Sequence, residues 1–255
     1  MTATTTRPLD GRTVVVTGAG GGLGRAIAHR FAASGANVAC GDLNGEANME
    51  TVAEITDLGG KAAGFAVDVT SAAEIRDWHQ NIAENFGDVS VVVNAAGMIE
   101  RRMLSDLPGE GLQQAMNINV LGPFQVVQEF QEELVRHEHG RVVNIASVAG
   151  LSGYPFPAYA ASKAALVNLS KSLLTSFWGT EVTVNAVCPG AMDTAMFNSK
   201  LIPAISKRTP RGRIVTVQEV AETVMFLSSP SGSALNGLAI AVDGGESAVF
   251  HYEQG

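Results

Sequence analysis

Tyr159 and Lys163 are the two residues whose types and spacing most directly suggest chemistry. They lie four positions apart in an Ala-rich stretch that predicts a helix to about Trp178, and such residues share one helix face. A phenol alone is a poor base, with a pKa of about 10. An ammonium about 4 Å away, at an effective dielectric of about 20, favours the phenolate by roughly 4 kcal/mol, or about three pKa units. The pair therefore predicts a general acid/base that titrates near neutrality, although the spacing alone also suits an ordinary surface pair.

The elements that must position this pair alternate between strand and helix along the whole chain. Short apolar runs predict strands at residues 13–17, 38–40, 62–67, 89–94, 141–145, 182–187 and 238–242. Helical patterns fall between them, first from the glycine-rich segment 18–24 to about residue 34, then at residues 45–58, 71–86, 111–137, 158–178 and 216–227. Ser71 and Thr216 each open a capping box. Continuously apolar strands predict a parallel sheet with helices on both faces. We therefore expect one α/β domain over residues 1–255, a doubly wound, Rossmann-type sheet in three layers.

A glycine-rich loop joins the first predicted strand to the first predicted helix. Glycine lets the backbone turn tightly and approach a pyrophosphate, whose charge the helix N-terminus favours. The flanking strand and helix supply the context that a dinucleotide-binding loop requires. The residues assigned to this site are Gly18, Gly21, Gly22, Leu23 and Gly24.

Asp42 and Leu43 indicate which dinucleotide binds. Asp42 ends the second predicted strand, where a carboxylate accepts hydrogen bonds from the adenosine ribose and repels a 2′-phosphate. The glycine loop holds no Lys or Arg, so the sequence favours NAD and makes NADP the weaker candidate. The alternative for Asp42 is an ordinary capping residue before Asn44 and Gly45.

Small and polar residues also follow the next three predicted strands. Asp68 and Val69 suit an adenine pocket, although a turn aspartate is an equally simple interpretation. Ser147 could orient a substrate carbonyl or alcohol, and its alternative is a turn cap. The stretch after the fourth strand lets a cofactor lie against the strand end, and it comprises Asn94, Ala95, Ala96 and Gly97.

Taken in order, these motifs resemble the short-chain dehydrogenase/reductase family. The resemblance runs from about Leu9 to Gly245 and includes Thr-Gly-x-x-x-Gly-x-Gly, Asn-Ala-Ala-Gly, the Ser, Tyr-x-x-x-Lys and Pro189-Gly190. The family often has Asn-Asn-Ala-Gly where this chain has Asn94-Ala95. Four residues match catalytic positions of the family, and the loop after the sixth strand matches its nicotinamide side. These residues are Asn119, Ser147, Tyr159 and Lys163 in the first group and Pro189, Gly190, Met192 and Thr194 in the second.

The resemblance implies a role for each catalytic match. Tyr159 is the acid/base, Lys163 lowers its pKa and binds the nicotinamide ribose, and Ser147 positions the substrate oxygen. Asn119 holds a water in a proton relay, with Asn117 as the competing candidate. The implied enzyme is an NAD-dependent alcohol dehydrogenase or ketone reductase. A catalytically silent NAD-binding sensor or scaffold is the alternative, and epimerisation or dehydration is a minor third option.

The sequence says less about the substrate. The predicted pocket walls are largely apolar, which favours a hydrophobic or cyclic secondary alcohol or ketone. Arg101 and Arg102 offer charges for a carboxylate or sulfonate, although a charged loop is usually just solvated. Residues 191–213 predict a long irregular loop that orders as a lid over ligands. The predicted pocket residues are Ser147, Met98, Tyr154, Phe156, Met192, Met196, Phe197 and Leu201.

Composition limits the setting and the partners. The chain has 255 residues, a formal charge of −8 and a pI of about 5.1, with no basic stripe, so we expect neither nucleic acid nor a membrane as partner. Cys40 and Cys188 lie in apolar runs and predict reduced thiols in a cytoplasmic protein. We assign no metal site. The resemblance implies a homotetramer, and residues 250–252 could reach a neighbouring subunit.

Overall fold

A parallel, seven-stranded sheet forms the centre of the protein in a computed structural model that describes residues 7–195 and 197–249. The strand order is β3-β2-β1-β4-β5-β6-β7, which confirms the predicted doubly wound sheet. The strands are β1 (Thr13–Thr17), β2 (Asn37–Asp42), β3 (Lys61–Ala66), β4 (Val89–Asn94), β5 (Arg141–Ile145), β6 (Thr183–Pro189) and β7 (Ala239–Val242).

Helices cover both faces of this sheet. The helices are α1 (Gly22–Ala33), α2 (Gly45–Asp57), α3 (Ala72–Phe86), α4 (Gly109–Met116), α5 (Gly122–Glu129), α6 (Gln131–Arg136), α7 (Pro157–Ser172), α8 (Ile202–Arg208) and α9 (Val217–Ser228). Successive residues of a strand point to opposite faces, so each strand feeds two cores. Val14 and Val16 pack in the core beneath α1 and α9, whereas Val15 packs in the core beneath α3 and α5. Three packed layers result.

The strand order reverses between β1 and β4, and the two strand ends are tied together there. The Thr17 hydroxyl accepts hydrogen bonds from the backbone N–H groups of Ala95 and Ala96, at 3.1 and 3.0 Å. Asn94 donates to the side-chain oxygen of Asn144 at 2.8 Å, which joins β4 to β5. The carboxyl edge of the sheet is therefore fixed where doubly wound folds bind ligands.

The helix predicted at residues 111–137 is interrupted twice. Residues Asn117–Leu121 form a π-helical turn, in which the Gly122 N–H bonds to the carbonyl of Asn117, five residues back. Pro123 has no N–H to continue the regular ladder, which accounts for the rearrangement. The chain breaks again at Phe130, between α5 and α6. The π-helical turn matters because it carries Asn119.

Three other predictions need correction. The helix predicted to run to Trp178 ends as α7 at Ser172, and Leu173–Phe177 is 3-10 helix. The loop predicted as irregular over residues 191–213 contains Ser199–Leu201 as a 3-10 turn followed by α8. Ser71 caps α3, but the Glu74 carboxylate bonds the Asp68 N–H, because the Ser71 N–H already donates to the Asp68 carbonyl. The capping box at Thr216 is confirmed.

The cysteines and the lengths of the helices were also the subject of sequence-based predictions. Cys40 and Cys188 are buried and unbridged, as predicted. Across residues 7–195 and 197–249, we find no helix with the length and apolar character needed to cross a bilayer.

A partly buried histidine cluster links α3 to α5 and α6. The two ring nitrogens of His79 lie 2.8 Å from Glu129 and 2.6 Å from Glu133, and Glu133 also accepts the Val89 N–H. Burial disfavours the imidazolium, but hydrogen bonds to both carboxylates outweigh it and raise the pKa of His79. The two carboxylate partners therefore favour the charged form of the ring.

This cluster predicts how stability depends on pH. A raised pKa means that the stabilisation is complete below the unfolded-state pKa of about 6.5 and is lost as pH rises through the folded-state pKa above it. Urea unfolding of the wild-type protein and of His79→Gln, measured from pH 6 to pH 9, should show a stability gap that narrows with rising pH. A gap that stays constant or widens over this range contradicts the assignment.

Candidate active site

The glycine loop between β1 and α1 is shaped by close contacts between backbones. Gly18 has φ +70°, and a Cβ on it would lie 2.8 Å from the backbone of Ala96. A Cβ on Gly24 would lie 2.0 Å from the carbonyl oxygen of Gly18. Real Cβ atoms do not approach backbone so closely, so only glycine fits at both positions. The loop is thereby held against the end of β4.

The N-terminus of α1 faces open space and suits a phosphate group. Gly21 is its N-cap and supplies no side-chain cap, so the first-turn N–H groups remain available to a ligand. A Cβ on Gly21 would meet no atom within 4 Å, and one on Gly22 would meet only Thr194, at 3.8 Å. Leu23 packs partly against the core behind the loop. Uncapped donors and an open concave side fit the pyrophosphate of a dinucleotide.

Asp42 ends β2 beside this loop. Its carboxylate accepts the Gly20 N–H at 2.9 Å and the Asn44 N–H at 2.8 Å. Asn44, rather than Asp42, caps α2, so the simple capping alternative does not apply to Asp42. Leu43 is 75% exposed and offers an apolar surface next to the carboxylate.

Arg25 is a cation beneath the loop, but it is already engaged. Its guanidinium donates to the Gly20 carbonyl at 2.9 Å and pairs with Glu50 and Glu54 at 3.2 and 3.0 Å. These bonds tie α1 to α2 and hold the loop in place.

Asp68 and Val69 have structural partners in the protein itself. Asp68 Oδ1 accepts bonds from the backbone and hydroxyl of Thr70, both at 2.8 Å, as expected of a turn residue. Val69 is 7% exposed and lies against Gly122. The turn interpretation of Asp68 is thus supported, and its contact with adenine stays a prediction.

Lys163 projects from α7 into the end of the sheet. Its ammonium donates to the Ile145 carbonyl at 2.8 Å, and a Cβ on Gly97 would lie 3.3 Å from its Nζ. The side chain is almost completely buried, and this burial lowers the pKa of Lys163 to about 8. The amine is therefore still protonated at neutral pH.

The sequence predicts that the Lys163 ammonium lowers the pKa of the Tyr159 phenol, and in this structure that prediction is wrong. Lys163 Nζ lies 6.0 Å from the centre of the Tyr159 ring, because the Ile145 carbonyl holds the ammonium below it. Burial raises the pKa of Tyr159, whereas a hydrogen bond with Ser147 and the positive charge of Arg101 lower it. The two side chains do share a helix face, but in the protein alone the phenol stays protonated at neutral pH.

Ser147 caps a turn, as one of its two interpretations predicts, and its role in orienting a substrate oxygen stays a prediction. Its hydroxyl accepts the Ala149 N–H at 3.1 Å, which caps the turn Val148–Gly150. The same side chain also hydrogen-bonds Tyr159. A serine at the end of β5 is thus held against the phenol.

Asn119 is the better of the two asparagine candidates. It is fully buried, and its side chain bonds the N–H and the carbonyl of Met98 at 2.9 and 3.0 Å. It also donates to Ser162 at 2.9 Å, and Ser162 donates to the Tyr159 carbonyl. Asn117 instead accepts a bond from Gln113 on the same helix. Asn119 therefore connects the end of β4 to the Tyr159 helix.

The predicted substrate wall is partly assembled. The rings of Tyr154 and Tyr159 lie 6.2 Å apart, and Tyr154 and Phe156 lie 5.6 Å apart. Met98 is half-buried where Asn119 fixes its backbone. Met192, also half-buried, pairs with Val215 in an isolated bridge, and Met196 lies outside the described residues.

The loop after the sixth strand packs on the end of β7. The Gly190 N–H donates to the Val242 carbonyl at 3.0 Å, and a Cβ on Gly190 would lie 2.8 Å from Asp243. Pro189 closes β6 just before this contact. Thr194 lies near Gly22, so the loop reaches back to the N-terminus of α1.

Two contributors to the site were missed in the sequence. Ser162 holds Asn119, and the Ile145 carbonyl holds Lys163. Ser162 sits directly before Lys163, so its position inside the Tyr-x-x-x-Lys motif was an available signal. A backbone carbonyl leaves no such signal in a sequence.

The glycine loop lies where the strand order reverses, and Ser147, Tyr159 and Lys163 lie near it. Together these features define a dinucleotide-dependent oxidoreductase. The family model described as enoyl-(acyl carrier protein) reductase matches residues 18–247. The chain belongs to the short-chain dehydrogenase/reductase family.

Three similar proteins illustrate the range of this family. The 3-oxoacyl-[acyl-carrier-protein] reductase FabG of Thermotoga maritima is 33% identical over 93% of this chain and 98% of its own. The 2-dehydro-3-deoxy-D-gluconate 5-dehydrogenase of Bacillus subtilis is 34% identical over 93% of this chain and 95% of its own. A crystal structure of an actinorhodin polyketide ketoreductase variant with NADPH has a TM-score of 0.88 and 32% identity, over 93% of this chain and 98% of that chain.

Proposed function

We propose that this protein transfers a hydride between NAD(H) and a secondary alcohol or ketone, with Tyr159 as general acid/base. The observation that carries the proposal is the convergence of Ser147, Tyr159 and Lys163 beside the glycine loop, at the point where the strand order reverses. An NAD-binding sensor would need the loop and Asp42 alone.

The roles of the side chains follow from their contacts. Bound NAD(H) would supply the hydride acceptor or donor. Ser147 holds the substrate oxygen beside the phenol, and Tyr159 gives that oxygen a proton during reduction or removes one during oxidation. Because burial raises the pKa of Tyr159, its proton is available at neutral pH, and the oxidative direction gains as pH rises. We propose that Lys163 and Asn119 support the path by which the Tyr159 proton exchanges with solvent. A water held by Asn119 is part of this proposed path.

Three residues favour NAD over NADP in this proposal. Asp42 places a carboxylate beside the loop, Leu43 adds no charge, and Arg25 is committed to Glu50 and Glu54. A 2′-phosphate placed here would meet the Asp42 carboxylate, and Arg25 is already paired with Glu50 and Glu54 and does not offset that repulsion. The ketoreductase structure with NADPH shows that a similar fold takes the phosphorylated cofactor, so the choice is made locally.

Replacing Asp42 should change the cofactor preference. We expect Asp42→Ser to weaken NADH use and to narrow the gap between NADH and NADPH by at least about tenfold, since one charge-assisted contact and one repulsion are removed. The measurement is kcat/KM for each cofactor with one ketone. A wild-type enzyme that prefers NADPH contradicts the NAD assignment.

The function is tested with a panel of secondary alcohols and ketones. Turnover is measured as the change in NADH absorbance. Turnover of any member, lost in a Tyr159 variant, supports the oxidoreductase. Binding of NAD with no turnover across aliphatic, cyclic and hydroxy-acid substrates would instead favour the silent sensor.

We propose a ketone or alcohol with an apolar or cyclic body as substrate. Tyr154, Phe156 and Met98 present apolar surface beside Tyr159. The names of two relatives specify a 3-oxoacyl group on an acyl carrier protein and a 2-dehydro sugar acid, each of which contains a ketone. The segment 191–213, with α8 inside it, is proposed to close over this substrate.

A homotetramer is proposed on the basis of exposed apolar side chains. Leu112, Leu121, Phe124 and Val135 on α4, the π-helical turn, α5 and α6 are each 36–42% exposed. Burying such surface between subunits is favourable, at about 25 cal/mol per Å². We expect the wild type to elute as a tetramer in light-scattering chromatography and Phe124→Glu to dissociate into smaller species. A monomeric wild type rules the proposal out.

A further inference from the structure

Two arginines converge at the amino edge of the sheet, where the strands begin, opposite the edge that carries the candidate active site. Arg12 precedes β1, and Arg141 is the first residue of β5. The Arg12 guanidinium donates to the Ser90 hydroxyl at 3.0 Å and to the His139 carbonyl. The Arg141 guanidinium donates to the Gly140 carbonyl at 2.8 Å. Because His139 and Gly140 are consecutive, the two guanidinium groups bind neighbouring carbonyls of one turn.

These two positive charges are buried without a directly bonded counter-charge. Arg141 is only 1% exposed and Arg12 is half-buried, and neither forms an ion pair with a carboxylate in the part of the chain that the structure describes. Burial lowers the pKa of both guanidinium groups, and the charge of Arg141 helps to lower the pKa of Arg12 to about 10. Glu181, which is exposed, is the carboxylate whose charge opposes this effect at Arg141. Both arginines therefore stay charged at neutral pH.

Several buried polar atoms at this corner of the sheet lack a hydrogen-bond partner among the described residues. They are Arg12 Nη1, Arg141 Nε, Thr183 Oγ1 and, in the same turn as the two carbonyls, His137 Nε2. Thr183 is the register partner of Arg141 on β6, so their side chains leave the same face of the sheet. Buried polar atoms of folded proteins are nearly always bonded, so such a set marks a place for a bound water or ion.

The chemistry of these atoms favours a small anion. A guanidinium has only donors and stays charged in proteins, and a hydroxyl can turn to donate. A buried charge without a counter-charge is costly, which water does not remedy. The Nε–Nη2 edge of Arg12, which could hold a carboxylate or phosphate through two bonds, is already engaged with Ser90 and His139. The single N–H that remains suits a monatomic ion, which accepts hydrogen bonds from any direction.

We infer that Arg12, Arg141 and Thr183 bind a halide ion, chloride in solution, at the amino edge of the sheet. The ion accepts hydrogen bonds from Arg12 Nη1, Arg141 Nε and the Thr183 hydroxyl, and it offsets the repulsion between the two guanidinium groups. It joins the beginnings of β1, β5 and β6. The whole length of β5 separates it from Ser147, so the site stabilises the fold and is independent of the proposed hydride transfer.

Thermal unfolding of the full chain in sodium chloride and in sodium gluconate, at equal ionic strength, measures this binding. Gluconate is too large for donors this deeply buried, so it controls for ionic strength. A ligand that binds only the folded state raises Tm. We expect a rise of about 3–5 °C for each tenfold increase in chloride above its Kd, and a smaller dependence on gluconate.

Three variants show whether the effect of chloride arises at this site. Arg141→Met should remove the difference between the two salts, because it deletes a donor and a charge. Thr183→Val should reduce the difference, since it deletes one neutral donor and keeps the branched shape; it provides the test if Arg141→Met does not fold. Arg213→Met is the matched control and should retain the difference, because Arg213 is 45% exposed and already paired with Glu219.

Crystals grown without halide and transferred to sodium bromide locate the ion directly. We expect an anomalous peak within hydrogen-bonding distance of Arg12 Nη1, Arg141 Nε and Thr183 Oγ1. Density for water without a bromide peak overturns the inference, and so does equal Tm in chloride and gluconate, since a peak would then be an adventitious ion only. A Tm rise that is larger in sodium phosphate than in chloride and is lost in Arg141→Met also overturns it, because the ligand is then an oxyanion.

Discussion

Tyr159→Phe should lower kcat by about 10²- to 10⁴-fold, the range associated with loss of a general acid/base. The substitution removes the hydroxyl that lies beside Ser147 and keeps the ring. NADH affinity should change little, because the glycine loop and Asp42 are untouched. The measurements are kcat from NADH absorbance and NADH affinity from fluorescence titration.

Tyr154→Phe is the matched control for this prediction. The two rings lie 6.2 Å apart, and the Tyr154 side chain is 44% exposed. Removing its hydroxyl should cause a much smaller loss than the same change at Tyr159. Equal losses in the two variants, or undiminished turnover in Tyr159→Phe, would refute the assignment of Tyr159.

Gly24→Ala should destabilise the protein and abolish measurable cofactor binding. The added methyl would lie 2.0 Å from the Gly18 carbonyl oxygen and 3.2 Å from the Ala19 Cα, both of them backbone atoms. Overpacking of this kind costs about 1–3 kcal/mol or more, and in a chain of this size about 1 kcal/mol lowers Tm by roughly 2–4 °C. Relief of the clash requires α1 to move away from the loop, which displaces the N–H groups that face the pyrophosphate. Thermal unfolding and NADH titration measure the two effects.

Gly21→Ala, three residues earlier, separates binding from stability. Its Cβ would meet no protein atom within 4 Å, and its φ of −173° is extended backbone that alanine adopts readily. We expect an unchanged Tm but weaker NADH binding, because the methyl would point into the space assigned to the cofactor. Equal loss of stability in both variants contradicts the close-packing argument, and normal NADH binding in both contradicts the cofactor site.

Local patterns were sufficient for most of the fold. Continuous Val-rich runs marked β1, β4 and β5 to the residue, because buried parallel strands need no polar alternation. The interruptions of the helix at residues 111–137 were not predicted. Gly122 and Pro123 were visible, but a proline can either kink or end a helix, and packing decides which. The short helix α8 was missed because two prolines made its segment look irregular.

The sequence by itself determined the sheet, the glycine loop, Asp42 and the identities of Ser147, Tyr159 and Lys163, since each depends on local periodicity or on residue type at a strand end. The tertiary structure alone decided the electrostatics of the site. The Ile145 carbonyl draws the Lys163 ammonium away from the phenol, burial raises the pKa of Tyr159, and Glu100 pairs with Arg102. These effects depend on distance and desolvation between segments far apart in the chain, and sequence spacing carries neither quantity.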